Sequence, residues 1–498
     1  MKRRKRVVRA LPAGAALLVL AGCSTPPLPS IAPGPERAWR VPDSASYAAL
    51  AARRDAPVSA PDSAAAAPPR IDEGKAYELA ELIDIAERTN PETRIAWERA
   101  REAALAAGIA HSVYAPMLSA KAAAASQRIS SPLPKTALNP QGFFVADTQF
   151  FLPGLTLKWL LFDFGGRQAT LDATQEAVVA ASFGFNATHQ KIVLDVTRAY
   201  YALGALMSRV DVATASFEEA RTLQDASESR RGRGLATLPE VLLARERTAR
   251  AAYELQEAIS GVTDARMLLL EAMGVRPTTP LRVAGIAGRE LPAMVEQTAD
   301  ALVDRAVGQR PDLLAHVAQV REREAEVRKA QSEFYPRIVL GSDLVQNMGR
   351  VRTQDIPGWS HVNETGYGVA IAIELPLLDG GLRRQRLAEA QSKRRVAESE
   401  LELARDRTER QVVKAYEDLK VATRQREAAV ALLEAARKSY DASFDSYRNG
   451  VATFVDVTTA QTALARARTA DTETRSAVLT ATAALAFATG DLASPVNP

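Results

Sequence analysis

Cysteine occurs once in the 498 residues, as Cys23, so no internal disulfide can form. Four histidines, His111, His189, His316 and His361, are scattered without the spacing that metal ligation needs. No glycine-rich loop ending in Lys-Ser or Lys-Thr is present to cradle a phosphate. No serine or cysteine sits where a base would make it a nucleophile. Nothing here points to an enzyme, a metal or a bound cofactor. Aromatic residues make up 6% of the chain, too few for a thick core, and alanine is abundant, which favours long helices. A basic excess is missing too. Lys2, Arg3, Arg4, Lys5, Arg6 and Arg9 all precede Cys23, with no acid among them, and without them the net charge of +4 becomes −2. That balance gives no surface for nucleic acid.

Those first residues are a bacterial export signal. A basic start leads into an apolar stretch from Leu11 to Ala21, too short for a comfortable membrane-spanning helix. It ends in Leu20-Ala21-Gly22-Cys23, which resembles the lipobox of bacterial lipoproteins. The chemistry needs a thiol there, because the lipid is attached through sulfur. The alternative is a chance cysteine in an ordinary signal peptide. Ser24 follows, where aspartate would retain a lipoprotein at the inner membrane, so the outer membrane is expected. The segmentation that follows is a signal peptide over 1–22 and a Pro/Ala-rich, weakly ordered tether over 23–74.

The rest is a tandem duplication. Gly450-Val451-Ala452-Thr453-Phe454-Val455-Asp456-Val457 has an earlier copy in Gly234-Leu235-Ala236-Thr237-Leu238-Pro239-Glu240-Val241. Asn90-Pro91-Glu92 recurs as Arg310-Pro311-Asp312, Tyr114-Ala115-Pro116 as Phe334-Tyr335-Pro336, Gly165-Gly166 as Gly380-Gly381, and Gly274 as Gly490. The halves are 75–274 and 299–490, joined by a linker over 275–298 and followed by a tail over 491–498.

Each half changes its period on the way. In Tyr367, Val369, Ile371, Ile373 and Leu375, large apolar groups alternate with Gly368, Ala370, Ala372 and Glu374. Period two with an oily face and a small or polar face suits a strand between lipid and a wet lumen. A soluble sandwich strand would alternate as well. Strands are expected at about 116–131 and 147–163, and at about 337–348 and 365–378, with 349–364 as the second loop. Helical hairpins follow at about 167–273 and 382–489. The stripe Ala199, Leu203, Leu206, Val210, Ala213, Phe217, Ala220 keeps heptad spacing, which means coiled-coil packing. Its counterpart from Ala415 to Tyr440 is broken once, by Arg426, where the seam is either partly wet or shifted.

This ordered set resembles the TolC-like outer membrane efflux protein family, in particular its lipid-anchored members, over residues from about 75 to 490. The resemblance implies a mixed α and β, tandem-duplicated protomer with transmembrane β-strands and long antiparallel coiled-coil helices. Three protomers would then close a 12-stranded barrel above a periplasmic α-helical tunnel. It implies an outer-membrane exit duct that meets a periplasmic adaptor and an inner-membrane pump of the RND, ABC or MFS type. The tips Gly234, Leu235, Ala236, Thr237 and Gly450, Val451, Ala452, Thr453 would contact the adaptor, although the glycines also read simply as turns. Asp456 would ring the periplasmic constriction; Thr459 stands at the second acidic place of the family's pattern. An ordinary first-turn helix residue is the other reading of Asp456. A duct for a secreted polypeptide and a lipid-anchored scaffold without a pore are the rival functions.

Overall fold

The residue before each proline ties the start of its half to that half's end. In the computed structural model, which describes residues 31–32, 34–39, 71–136, 140–286, 288–292, 297–353 and 356–493, each half opens with two helices in series. They are α1 (Leu79–Thr89) and α2 (Pro91–Ser112) in the first half. Those of the second half, here α5 and α6, are Ala299–Gln309 and Pro311–Ser332. The prolines occupy first-turn positions, where a missing N–H costs nothing. Asn90 caps α2 through Glu92 N (2.8 Å) and also donates from Nδ2 to the carbonyl of Ala272 (2.9 Å). Arg310, its counterpart, reaches the carbonyl of Ala488 (3.3 Å). Each Xaa-Pro residue thus satisfies a carbonyl at the end of its own half's last helix.

After α2 and α6 the chain enters the sheet. Strands β2 (Met117–Pro132), β3 (Phe143–Phe162), β5 (Arg337–Thr353) and β6 (Ile356–Glu374) form one antiparallel sheet in that order. Two two-residue strands, β1 (Ala76–Tyr77) and β4 (Arg282–Val283), pair in parallel and fasten the linker to the start of the first half. The strands of the second half run much further than the alternation showed. The expected loop over 349–364 is strand on both sides of residues 354–355, and the last strand stops at Glu374 rather than near 378. Beyond the apolar band the strands carry polar groups on the oily face too, so the period-two signal fades while the ladder continues.

The sheet has two unlike faces. Leu344 on β5 pairs with Tyr367 on β6, Leu340 with Ile371 and Ile338 with Ile373, all on one face. The opposite face holds Ser119, Lys121, Thr156, Lys158, Asp343 and the glycines and alanines of β6. Thr148 and Ala146 on that polar face are buried, whereas Tyr367 on the apolar face is 84% exposed. The polar face is therefore the concave one. None of the described helices covers the apolar face.

Each half leaves the sheet through a left-handed turn into a helix of 67 residues, α3 (Gly166–Gly232) or α7 (Leu382–Arg448). At 1.5 Å per residue each is about 100 Å long. The turn residues correspond one place away from the Gly-Gly pairing read in the sequence. Gly165 (φ 91°) matches Gly381 (φ 88°), and Phe164 (φ 52°) matches Gly380 (φ 65°). Gly166 is already the first helical residue. Asp163 and Asp379 hold the turns by accepting from the backbone N–H groups of Arg167 (2.6 Å) and Arg383 (3.2 Å).

The returning helices are α4 (Leu238–Ala272) and α8 (Phe454–Thr489). The core lies along the helices rather than at the sheet. Its largest cluster, including Leu82, Ile192, Val196, Leu203, Leu269 and Met273, sits where α1, α3 and α4 meet. A second holds Leu223, Tyr440, Tyr447, Phe454, Val457 and Leu464 near the tips. Arg426 keeps the coiled-coil seam by pairing with Asp471 across it, donating to that residue's carbonyl at 2.8 Å and to its carboxylate. The heptad interruption is thus an ion pair between α7 and α8.

Part of the proline-rich segment is tied down. Trp97 Nε1 donates to the carbonyl of Ala32 (2.9 Å), and Asn186 exchanges two bonds of 2.8 Å with the backbone of Trp39. Trp39 meets Phe183 edge to face at 5.2 Å. The low-complexity composition concealed this docking. Cys23 lies outside the described residues.

Candidate functional site

Two features stand out as candidate sites: the hairpin tips at one end and the sheet at the other. The tips are made by helix ends that must turn within a few residues. α3 ends in a Schellman pattern, with Gly234 N–H donating to Arg231 O (2.9 Å) and Leu235 N–H to Arg230 O (2.8 Å). α7 ends the same way, through Gly450 N–H to Tyr447 O (3.0 Å) and Val451 N–H to Ser446 O (2.9 Å). Both glycines have left-handed φ, 75° and 79°, which a side chain would strain.

The sequence-selected tip residues come together as one surface. Leu235 is 62% and Val451 83% exposed, flanked by the exposed Thr237 and Thr453 and the half-buried Ala236 and Ala452. Val455, also exposed, extends the apolar patch. The two tips thus present exposed apolar groups among small neighbours.

Asp456 is exposed and begins α8 as half of a capping box. Its Oδ2 accepts from Thr453 N–H (2.8 Å) and from the Thr453 hydroxyl (2.6 Å). The Thr453 hydroxyl accepts in turn from Asp456 N–H (3.2 Å). These bonds, the hydroxyl first, hold the carboxyl below the usual aspartate range. The charge is therefore firm at neutral pH. Thr459, one turn on, bonds back to the carbonyl of Val455 (2.8 Å) and carries no charge.

A lock between the two tips was not read from the sequence. Tyr447 is 1% exposed, and its hydroxyl donates to Glu240 Oε1 across the hairpins at 2.6 Å. Arg230 donates to the Tyr447 carbonyl (2.8 Å) and lies over its ring at 4.7 Å. Burial first, then the Glu240 carboxylate, pushes the Tyr447 phenol far above the usual tyrosine range, so it stays a donor. Further up, Arg468 on α8 pairs with Glu219 on α3 (2.8 Å). One signal was in view: Glu240 is the first-tip counterpart of Asp456. Its partner, 207 residues away, was not visible.

The sheet supplies the other half of the site. Its outer strands, β2 and β6, each have one neighbour among the described residues, so both edges carry unpaired backbone groups. The sheet thus has an apolar face, a polar concave face and two open edges. No described helix is long and apolar enough to cross a membrane.

Comparison with known proteins agrees with this geometry. The family model for outer membrane efflux proteins matches residues 82–275 and 302–491, once over each half. Protein CyaE of Bordetella pertussis is 27% identical over 426 residues, covering 85% of this chain and 86% of that protein. The pyoverdine export outer membrane protein OpmQ of Pseudomonas aeruginosa is 24% identical over 430 residues, covering 83% of this chain and 85% of its own. Among solved structures, the outer membrane protein VceC of Vibrio cholerae has the same fold, with a TM-score of 0.67 at 21% identity, covering 83% of this chain and 96% of that one.

Proposed function

The chain belongs to the outer membrane efflux protein family, and from that premise we propose that it is the passive exit duct of a tripartite export pump. Three copies close one barrel in the outer membrane, and their helices continue it as a tunnel across the periplasm. The observation that carries this is the four-stranded sheet with unlike faces and two open edges. Four strands cannot surround a lumen, and an open edge in lipid leaves several kcal/mol per unsatisfied group, so barrel closure and assembly become one event.

The concave face then lines the lumen with small and polar groups, which pass cargo without selecting it. Choice of cargo falls to the inner-membrane pump, reached through an adaptor that docks on the tips around Leu235 and Val451. Energy comes from the pump, and we assign no reaction to this chain. The Tyr447–Glu240 lock keeps the periplasmic end narrow, and the Asp456 carboxylates of the assembled tips make that end cation-preferring. Cys23 carries the lipid that adds an anchor to the barrel.

The assembly is tested by the native mass of the detergent-extracted protein. Three chains are expected, and also for Cys23→Ser, because barrel closure rather than the lipid holds the copies together. A folded protein that stays monomeric at all concentrations would overturn the proposal.

A further inference from the structure

On this face the apolar side chains give way along β5 and β6 to Gln346, Thr365 and Asn363, and beyond them lies a basic cluster that the duct does not use. Arg128 on β2 stands opposite Asp147 on β3, which stands opposite Arg352 on β5. One row nearer the band, Arg350 on β5 stands opposite His361 on β6. All these side chains share the face of Tyr367 and Leu344. At the same height the concave face is neutral, with Gln127, Thr148, Val351 and Ser360. A charge serving the lumen would be on the concave face.

The height of the cluster matches a membrane surface. Trp159, near the other end of the apolar face, pairs with Leu340, ten residues before Arg350 along β5. At ~3.3 Å per residue and a barrel tilt of ~40°, that is about 25 Å along the membrane normal. The apolar band of an outer-membrane barrel has about that height, with aromatic residues at both edges. Trp359 is the aromatic at this edge.

Among the described residues the cluster is also short of negative charge: three guanidinium groups face one carboxylate, Asp147, at 2.7 Å from Arg352 and 3.8 Å from Arg128. Arg350 and Arg352 lie over the Trp359 ring at 4.7 and 5.1 Å. The indole holds two like charges side by side, an arrangement that a bound anion stabilises. The Arg128 and Arg352 side chains are 71% and 50% exposed.

We propose that Arg128, Arg350 and Arg352 bind the phosphate groups of outer-leaflet glycolipid. The inference rests on the barrel reading above. Its chemistry is that of arginine forks on a phosphomonoester, beside an apolar wall that receives the acyl chains.

The test uses the detergent-extracted full-length assembly and two lipids: bis-phosphorylated lipid A and the same molecule with both phosphates removed. Bound lipid is counted by native mass spectrometry over a lipid titration. The wild type is expected to bind the phosphorylated form at least tenfold more tightly, and less so as salt rises. Arg350→Gln with Arg352→Gln is expected to lose that preference. Lys121→Gln with Lys158→Gln, on the concave face, is expected to keep it. Equal wild-type affinity for the two lipids overturns the inference, as does a preference that survives in the arginine variant or vanishes in the lysine one. Should the arginine variant not assemble, the wild-type comparison still decides. An assembly that conducts ions without preferring the phosphorylated lipid would sink this inference and leave the duct standing.

Discussion

Replacing Tyr447 by phenylalanine removes one oxygen from the tip lock and changes little else. The ring keeps its place between Arg230 and Phe454, at 4.7 and 6.2 Å. The bond that disappears is the 2.6 Å donation to Glu240. A hydrogen bond to a charged group contributes about 1.5–3 kcal/mol. Glu240 is only half-buried, so water replaces part of this, and a loss of about 1–2 kcal/mol remains. In the equilibrium between closed and loosened tips that is roughly 5- to 30-fold. The assay is the fraction of time spent conducting in a planar bilayer, wild type beside Tyr447→Phe, at matched voltage and salt. Glu240→Gln should give a smaller change, since a neutral acceptor remains. An open fraction within twofold of wild type in Tyr447→Phe would refute the lock.

Three further expectations follow. Arg310 is 5% exposed and is held by Asp312 (2.6 Å), Gln411 (2.8 Å) and the Ala488 carbonyl, so Arg310→Ala should destabilise by about 1–3 kcal/mol, read as a lowered thermal midpoint. Asp456→Asn removes the charge but keeps an acceptor for the cap, so cation preference should fall while tip helicity holds; unchanged ion selectivity would leave Asp456 as a cap alone. Because its carboxyl is held below the ordinary value of 3.8, wild-type preference should persist on acidification and vanish only below that pH. Burial lifts the Tyr440 phenol to about 12 and raises that of Tyr447 as well. The unfolded chain ionises first, so tip stability is full below about pH 10 and should be lost as pH rises through 12, measurable by hydrogen exchange or helix melting.

The sequence displayed what repeats and what alternates. Duplicated prolines and glycines marked the helix ends, and Tyr367 to Ile373 marked a strand with one oily face. Residues 349–364 were misread because alternation is written by lipid, and beyond the lipid both faces turn polar while the ladder goes on. Arg426 looked like a flaw because its partner, Asp471, lies on another helix. Trp39 was lost in a stretch whose composition suggests no order, and its partners Asn186 and Phe183 show where it docks. Nothing in the sequence singled out Tyr447; its meaning depends on Glu240 in the other half. Single-residue chemistry that depends on a distant partner is the part that pattern alone does not carry.

The most direct test of the duct is single-channel recording of the detergent-extracted wild-type assembly in a planar bilayer. Small, cation-preferring openings are expected, narrow because the tips are locked and selective because of Asp456. A well-folded assembly that never conducts, at any voltage or salt, would contradict it and return the sheet to some other use.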